Sequence, residues 1–316
     1  MNKIDEIQVL LSKKAELNAQ LSLLPYDGTP EIKTISGKDY LYVRKRVLNK
    51  VSSTYVDVYS EHLYNTLLRN NEQSKKLKRE IRKIDKDLAA LGYKEGELLP
   101  NVILARDFAR INRNVTIYDQ AILEGIGTTF PDTEAILEKG IIKNAKADDI
   151  QKILNLKRAW EFILDDNVLL VETDFYLVAY IAKIVNEGFY INGGKVRGVP
   201  VKIGGSAYIP PLPLESKVKE DIGSLLSSSL NDIDIAIELC LYIMKTQIFN
   251  DGNKRTAVIA CNHYLVSKGV GFLAISHDKV PEFKAMLINY YENKDIEVIK
   301  NFLKTCVHQL GNKTEI

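Results

Sequence analysis

Two amphipathic patterns near the start of the chain predict a pair of packed helices. Apolar side chains recur at helical spacing in residues 4–24, and residues 63–91 repeat them in alternating steps of four and three. The second pattern is a heptad seam with polar interruptions at Asn70 and Ser74, and Gly92 is placed to cap it. Because each helix has one apolar stripe, we expect an antiparallel, coiled-coil-like helical hairpin.

The residues between these two helices favour strands. Residues 31–47 and 51–59 are rich in β-branched and aromatic side chains, and residues 48–50 between them resemble a turn. We expect a small antiparallel β-hairpin of two or three strands at the tip of the helical pair. Five basic residues and three tyrosines lie there (Lys38, Arg44, Lys45, Arg46 and Lys50 with Tyr40, Tyr42 and Tyr55), a composition found in nucleic-acid-binding faces and, more often, on solvated sheet surfaces.

From about residue 95 onward the periodicity is helical nearly to the end of the chain. One segment interrupts it, residues 191–213, whose glycine turns and Pro-Pro-Leu-Pro exit predict a β-ribbon. The sequence therefore predicts a mainly α protein with two domains. Residues 1–95 form the helical hairpin with its β insertion, and residues 96–316 form a helical bundle.

Composition and charge argue against a membrane-spanning, secreted or strongly nucleic-acid-binding protein. A net charge of +2 over 316 residues predicts little attraction to nucleic acid, and no apolar run reaches the roughly 18 residues of a membrane helix. The first residues lack the apolar region of a signal peptide. The three cysteines, Cys240, Cys261 and Cys306, are scattered in apolar stretches, which predicts reduced, packed thiols in a cytoplasmic protein.

The loop QIFNDGNKRTA at residues 247–257 is the strongest candidate for chemistry. It joins an almost wholly apolar helix to a second helix, so free N–H groups and the positive end of a helix dipole meet at its mouth. Gly252 permits close approach of a phosphate, Asn253 can cap the helix, and Arg255 offers a fork of donors. Asp251 suits a phosphate-bound Mg²⁺. From spacing alone, phosphate binding and a simple helix N-cap turn both remain open.

The same loop resembles the motif of the Fic/Doc family, H-x-F-x-[DE]-G-N-x-R. The matching residues are Phe249, Asp251, Gly252, Asn253 and Arg255. The segment FNDGNKRTA, residues 249–257, is most similar to the Doc branch of the family. Residues 191–213 resemble the family's flap, a β-hairpin that holds a segment of a protein target. AILEG, at residues 121–125, resembles the family's inhibitory helix motif, with Glu124 as its glutamate. The resemblance covers residues 115–310.

The resemblance implies a Fic-type helical bundle that binds ATP or another nucleoside triphosphate with Mg²⁺. The residues that it assigns to the nucleotide are Gly252, Asn253, Lys254, Arg255 and Glu124, with Asp251 on the metal. Gln247, Asn253 and Arg255 occupy the catalytic positions. The family transfers AMP or phosphate to a hydroxyl on a protein target.

The sequence departs from the family at three positions. Gln247 stands where the family has the histidine that deprotonates the target hydroxyl, and an amide cannot accept that proton. Val258 replaces the second arginine of AMP-transferring members, so phosphate transfer in the Doc manner competes with AMP transfer. Gln120 replaces the Ser or Thr of the inhibitory motif. In the family the inhibitory glutamate pairs with that second arginine. Because it is absent here, we expect Glu124 either to make a structural hydrogen bond or to pair with Arg255.

We therefore expect a nucleotide-binding Fic protein whose transfer activity is attenuated because Gln247 replaces the base. The alternative is a catalytically inactive Fic scaffold or an interaction module. The expected partner is a protein target held by residues 191–213. A homodimer is a further expectation if the heptad seam is not filled internally, whereas nucleic acid and membrane partners are not expected.

Overall fold

The computed structural model describes residues 3–26, 28–47, 50–91, 93, 98–139 and 146–310. Gly92, residues 48–49 of the predicted turn and the predicted domain boundary at residues 95 and 96 lie outside these ranges. By its internal contacts the chain divides into two compact units, Met1–Lys94 and Glu95–Ile316.

In the first unit, the three strands of an antiparallel sheet follow one helix along the chain and precede a second. Its elements are α1 (Lys3–Ser22), β1 (Thr29–Ile35), β2 (Lys38–Val47), β3 (Lys50–Val58) and α2 (Glu61–Ala90), with β2 in the centre of the sheet. Ser36 and Gly37, both at positive φ, make the two-residue turn between β1 and β2. Leu41 and Val43 of β2 pack on Leu67 of α2.

The two helices of this unit run antiparallel, as the sequence predicts. Lys14 of α1 lies 2.9 Å from Asp85 of α2, while Pro25, just beyond α1, accepts a hydrogen bond from Asn70 at 3.2 Å. The middle of α1 therefore lies beside the C-terminal part of α2, and the end of α1 lies near the N-terminal part of α2, as in an antiparallel pair. The buried seam of α2 comprises Leu67, Asn71, Ser74, Leu77, Ile84 and Leu88. Asn71, not the predicted Asn70, is the buried asparagine of the seam.

The second unit is mainly helical, which confirms the predicted fold class. Its helices are α3 (Pro100–Leu123), α4 (Phe130–Lys139), α5 (Ala147–Ile163), α6 (Asp166–Leu169), α7 (Phe175–Val185), α8 (Glu215–Leu226), α9 (Asp232–Thr246), α10 (Asn253–Ser267), α11 (Val280–Tyr291) and α12 (Ile296–Thr305). A 3-10 turn at His277–Lys279 precedes α11, and the short strands β4 (Gly271–Leu273) and β5 (Val307–Gln309) pair antiparallel.

Helix α10 forms the centre of this unit. It contacts α3, α5, α7 and α9, and nearly all of its side chains are buried. A helix that is enclosed on all sides places its N-terminus at a fixed point in the fold. The chain reaches that point from α9 through the loop at residues 247–252.

The predicted β-ribbon at residues 191–213 is wrong as secondary structure. No residue of this segment belongs to a strand, and it follows α7 as a series of turns and extended pieces. Its main-chain carbonyls bond to the Arg197 side chain instead of to a facing strand. We call residues 191–213 the flap segment.

None of the described helices combines the length and the apolar character needed to cross a membrane. The three cysteines are free and buried.

Candidate functional site

Gln247 ends helix α9 in a left-handed conformation with φ of +50°. Its main-chain N–H donates to the Ile243 carbonyl, and its side-chain Nε2 donates to the Met244 carbonyl at 2.6 Å. Its Oε1 accepts from Asn253 Nδ2 at 3.2 Å. The Gln247 amide thus bonds to the main chain of α9 and to the loop itself.

Asn253 closes the loop and does not cap α10, so the predicted N-cap role is wrong. Its Oδ1 accepts from the Phe249 N–H at 2.9 Å, and its Nδ2 donates to the Phe249 carbonyl at 2.8 Å. Gly252 occupies the N-cap position, without a side chain to accept from the first turn. Phe249 is fully buried under the loop. The first N–H groups of α10 therefore lack a side-chain cap, as an anion site requires.

Gly252 is required for two reasons. Its φ of +70° lies in the left-handed region, and a Cβ there would lie 2.7 Å from Asn186 Oδ1. Asn186, the residue that ends α7, is 1% exposed and donates to the Asp251 carbonyl at 2.9 Å. The loop is therefore packed against the end of α7.

Arg255 is buried, and both of its terminal nitrogens donate hydrogen bonds, whereas its Nε donates none. Its Nη1 donates to the Val185 carbonyl at the end of α7 at 3.0 Å, and its Nη2 donates to Asp251 Oδ2 at 3.2 Å. Its Nε lies 3.2 Å from Glu124 Oε2. The arginine that the family motif assigns to phosphate thus bridges three segments of the chain.

Glu124 reaches the loop from the C-terminal end of α3. Besides Arg255, it approaches Lys254, whose Nζ lies 3.5 Å from Glu124 Oε1. Its side chain is only 12% exposed, so this carboxylate is the negative charge that now faces the cations of the loop. Of the two alternatives that the sequence left open, the structure places Glu124 on Arg255.

Gln120 adds a second tie between α3 and the loop. Its Nε2 donates to the Arg255 carbonyl at 3.0 Å, and its Oε1 accepts from Trp160 Nε1 at 3.3 Å. The residue that replaces the Ser or Thr of the inhibitory motif therefore helps to fix α10 in place.

Arg197 connects the flap segment to the loop, and sequence analysis missed it. Its main-chain N–H donates to the Ile248 carbonyl at 2.9 Å, and its Nε donates to the Gln247 carbonyl at 2.6 Å. Its other nitrogens donate to carbonyls of the flap segment itself, those of Val199, Pro210 and Pro211. No carboxylate pairs with it among the described residues. Its role depends on contacts across 50 residues, which a local pattern does not reveal.

Asp251 is about half exposed, with one oxygen on Arg255. The described part of the chain contains no cluster of three acidic, histidine or cysteine side chains that could hold a metal. A single carboxylate nevertheless suits Mg²⁺ delivered on a nucleotide, because phosphate oxygens and water then supply the other ligands.

The three histidines of the second unit, all within the described residues, contact other parts of the protein and not Gln247. His263 is fully buried in α10, where its ring nitrogens contact Thr173 Oγ1 at 2.8 Å and the Val168 carbonyl at 3.0 Å. Burial lowers its pKa to about 4. His277 pairs with Asp119 at 3.2 Å, and the His308 ring stacks on Phe272. Each has a structural contact away from Gln247.

Comparisons with known proteins agree with this geometry. Residues 173–265 match the model of the Fic/DOC family. The chain is 25% identical over 200 residues to the protein adenylyltransferase Fic of Drosophila willistoni, an alignment that covers 61% of this chain and 40% of that protein. The chain thus spans less than half of this relative.

Solved structures share the fold. Fic-1 (residues 134–508) of C. elegans superposes with a TM-score of 0.51 at 17% identity, covering 76% of this chain and 75% of the other. A Fic domain-containing signaling protein of Bacteroides thetaiotaomicron gives a TM-score of 0.54 at 17% identity, covering 66% and 87%. With the motif residues assembled at the N-terminus of α10, residues 173–265 match the Fic/DOC family in sequence, and the surrounding fold is the one seen in these solved Fic structures.

Proposed function

We propose that the chain binds a nucleoside triphosphate with Mg²⁺ at the N-terminus of α10 and transfers AMP or phosphate to a hydroxyl on a protein target at an attenuated rate. The observation that carries this proposal is the arrangement at that N-terminus. The first N–H groups of α10 have no side-chain cap, and the side chains of Lys254 and Arg255 in the same turn both approach Glu124, a carboxylate whose place a phosphate would take.

Transfer requires that a target hydroxyl lose its proton as its oxygen attacks phosphorus. Attack at the α-phosphorus breaks the bond to pyrophosphate, and attack at the γ-phosphorus breaks the bond to the nucleoside diphosphate. Gln247 can orient the hydroxyl but cannot take the proton, and its amide already bonds to Met244 and Asn253. Loss of a general base costs about 10²–10⁴ in rate, while positioning and electrostatics remain.

Glu124 imposes a second restraint in this proposal. Arg255 already has two carboxylates beside it, Glu124 at Nε and Asp251 at Nη2, so a phosphate that approaches the guanidinium is repelled by Glu124 and has to displace it. Removing the carboxylate should therefore raise the affinity for nucleotide, independently of the change at Gln247.

Exposed apolar side chains support a protein target at the flap segment. Ile191, Val199 and Ile209 are each more than half exposed. Arg197 fixes this segment to the main chain of Gln247, so a protein bound to it would lie beside the loop. Buried free cysteines are in keeping with a cytoplasmic protein.

The test compares the native chain with Gln247→His, Glu124→Ala and the double variant. Binding of Mg-ATP is measured by calorimetry, and transfer to the chain itself or a candidate target is measured by intact mass, which separates AMP from phosphate. We expect Gln247→His to raise transfer by about 10²–10⁴, and Glu124→Ala to tighten ATP binding.

Glu161→Ala is the matched control for Glu124→Ala. Glu161 is similarly buried and pairs with Arg113 at 3.2 Å, away from the loop. It should leave ATP binding unchanged. If none of the variants binds ATP while all retain native Trp160 fluorescence, the proposal is wrong.

A catalytically inactive scaffold is the second candidate, favoured by the engagement of the Gln247 amide and of Arg255 within the protein. It predicts that Gln247→His binds ATP as the native chain does but transfers nothing. That outcome would leave nucleotide binding intact and reject the enzyme.

A further inference from the structure

The solvent face of helix α2 carries an uninterrupted group of unpaired cations. Residues 75–86 of this helix contain seven lysines and arginines, and six of them are exposed: Lys75, Lys76, Arg79, Arg82, Lys83 and Lys86. None of the six forms an ion pair with a described residue. Elsewhere in the described chain, basic residues such as Arg106, Arg158 and Lys300 pair with carboxylates. We call these six residues the basic stripe.

Helical geometry places the whole stripe on one side of α2. At 3.6 residues per turn, the six positions fall within an arc of about 120° and span about 16 Å of the helix axis. The buried residues Ser74, Leu77, Ile84 and Leu88 lie on the opposite side. Glu72 precedes the stripe, Asp87 follows it and Glu80 lies at its edge, so none of the three divides it.

The net charge of the whole chain conceals this asymmetry. Residues 1–94 contain 18 lysines and arginines against 12 aspartates and glutamates, whereas residues 95–316 contain 25 against 29. The first unit is therefore basic and the second acidic. A basic unit with clustered, unpaired cations attracts polyanions, although the sum over the chain is close to neutral.

We propose that the basic stripe of α2 binds the phosphate backbone of nucleic acid without sequence specificity. The six cations fit a run of phosphates along one groove wall or strand, since a single strand presents one phosphate about every 3.4 Å of duplex axis. The exposed sheet of the same unit offers Tyr55 and Tyr42, whose rings lie 5.6 Å apart, with Lys33 over Tyr42 at 4.3 Å. Aromatic and basic side chains together are typical of surfaces that bind nucleic acid.

An anionic membrane is the competing polyanion, and the helix disfavours it. Helices that lie on membranes bury an apolar face in the lipid beside their basic residues. In α2 the apolar face packs on α1 and on the sheet, and the stripe itself contains no apolar side chain. A purely electrostatic surface remains, which matches a phosphate backbone.

The experiment measures fluorescence anisotropy of labelled 25-mer DNA and RNA, single- and double-stranded, with the full chain at several salt concentrations. We expect binding that weakens steeply as salt rises. In Arg79→Gln/Lys83→Gln the affinity at low salt should fall at least about fivefold, and the salt slope should shrink by about 1–2. Glutamine retains helix propensity, so circular dichroism should be unchanged.

Lys146→Gln/Lys279→Gln is the charge-matched control, because both lysines are exposed in the second unit. It should bind like the native chain. Equal losses in both double variants would indicate only a net-charge effect and overturn the assignment to α2. Binding to vesicles of anionic phospholipid in the absence of binding to any of the oligonucleotides would also overturn it.

Discussion

Several residues of the loop and the flap segment stabilise the fold by hydrogen bonds to main-chain groups, in addition to the roles that the family motif assigns to the loop. Arg255 caps the carbonyl that ends α7, and Asn253 closes the loop on Phe249. Arg197 is the extreme case, because the residue is 2% exposed and the hydrogen bonds of its guanidinium all go to main-chain carbonyls. Burial lowers its pKa, although an arginine stays charged. A buried cation with neutral partners depends on every one of its hydrogen bonds.

Replacing Arg197 should therefore be costly. In Arg197→Lys the charge remains, but the ammonium has three donors and cannot reach the same carbonyls in a planar fork. We expect the free energy of unfolding to fall by about 2–4 kcal/mol. Urea denaturation followed by fluorescence of Trp160, the single tryptophan, measures this in the second unit.

Arg110→Lys is the comparison for that measurement. Arg110 is about half exposed and donates to the Leu164 carbonyl at 2.8 Å, so its replacement should cost less than about 1 kcal/mol. Similar losses of unfolding free energy in both variants would show that the buried hydrogen bonds of Arg197 contribute no more to stability than those of an exposed arginine.

Helix α10 is the element on which the second unit is built, and its buried polar residues tie it to its neighbours. Asn262 bonds to both the N–H and the carbonyl of Leu273 in β4. His263 joins α10 to the end of α6 and to Thr173. These bonds fix the axial position of α10, and with it the N-terminus that carries Lys254 and Arg255.

His263 should make the second unit sensitive to acid. Burial lowers its pKa to about 4, against an ordinary value of about 6.5 in the unfolded chain. The unfolded state therefore binds the extra proton first, and stability present above pH 6.5 is lost as the pH falls towards 4. The loss from this one group approaches about 3 kcal/mol.

His263→Gln should remove that part of the pH dependence while lowering stability at pH 7. The measurement is the difference in urea unfolding free energy, by Trp160 fluorescence, between pH 7 and pH 4.5. His62→Gln, an exposed histidine of the first unit, should leave the difference unchanged. If His263→Gln retains the full native pH dependence, then His263 is not a buried neutral group.

At the scale of the whole molecule, the chain consists of two units with separate cores. Leu41, Val43 and Leu67 form a cluster within the first unit, and α10 organises the second. The charges differ as well, since residues 1–94 are basic and residues 95–316 acidic. The two proposed sites are divided in the same way, with the proposed nucleotide site in the second unit and the basic stripe in the first.

Residues 98–316 should therefore fold without the first unit. We expect this fragment to keep its helical circular dichroism and a Trp160 unfolding midpoint in urea close to that of the full chain. A fragment that starts at residue 124 lacks α3, which packs on α4, α5 and α10, and should not fold. If the fragment 98–316 shows no cooperative unfolding in urea, the second unit depends on residues 1–94 for its fold.

The local sequence determined much of the protein because its signals act over a few residues. Helical periodicity located the paired helices α1 and α2, β-branched and aromatic residues located the sheet, and the spacing from Phe249 to Arg255 identified the Fic/DOC loop. Only the tertiary structure decided what those residues touch. Glu124 meets Arg255 across 131 positions, and Arg197 meets Gln247 across 50. The flap segment folds around its own Arg197 instead of forming a ribbon, and the bonds from Arg197 to Gln247 and Ile248 hold it on the loop, so these contacts outweigh local strand preference there.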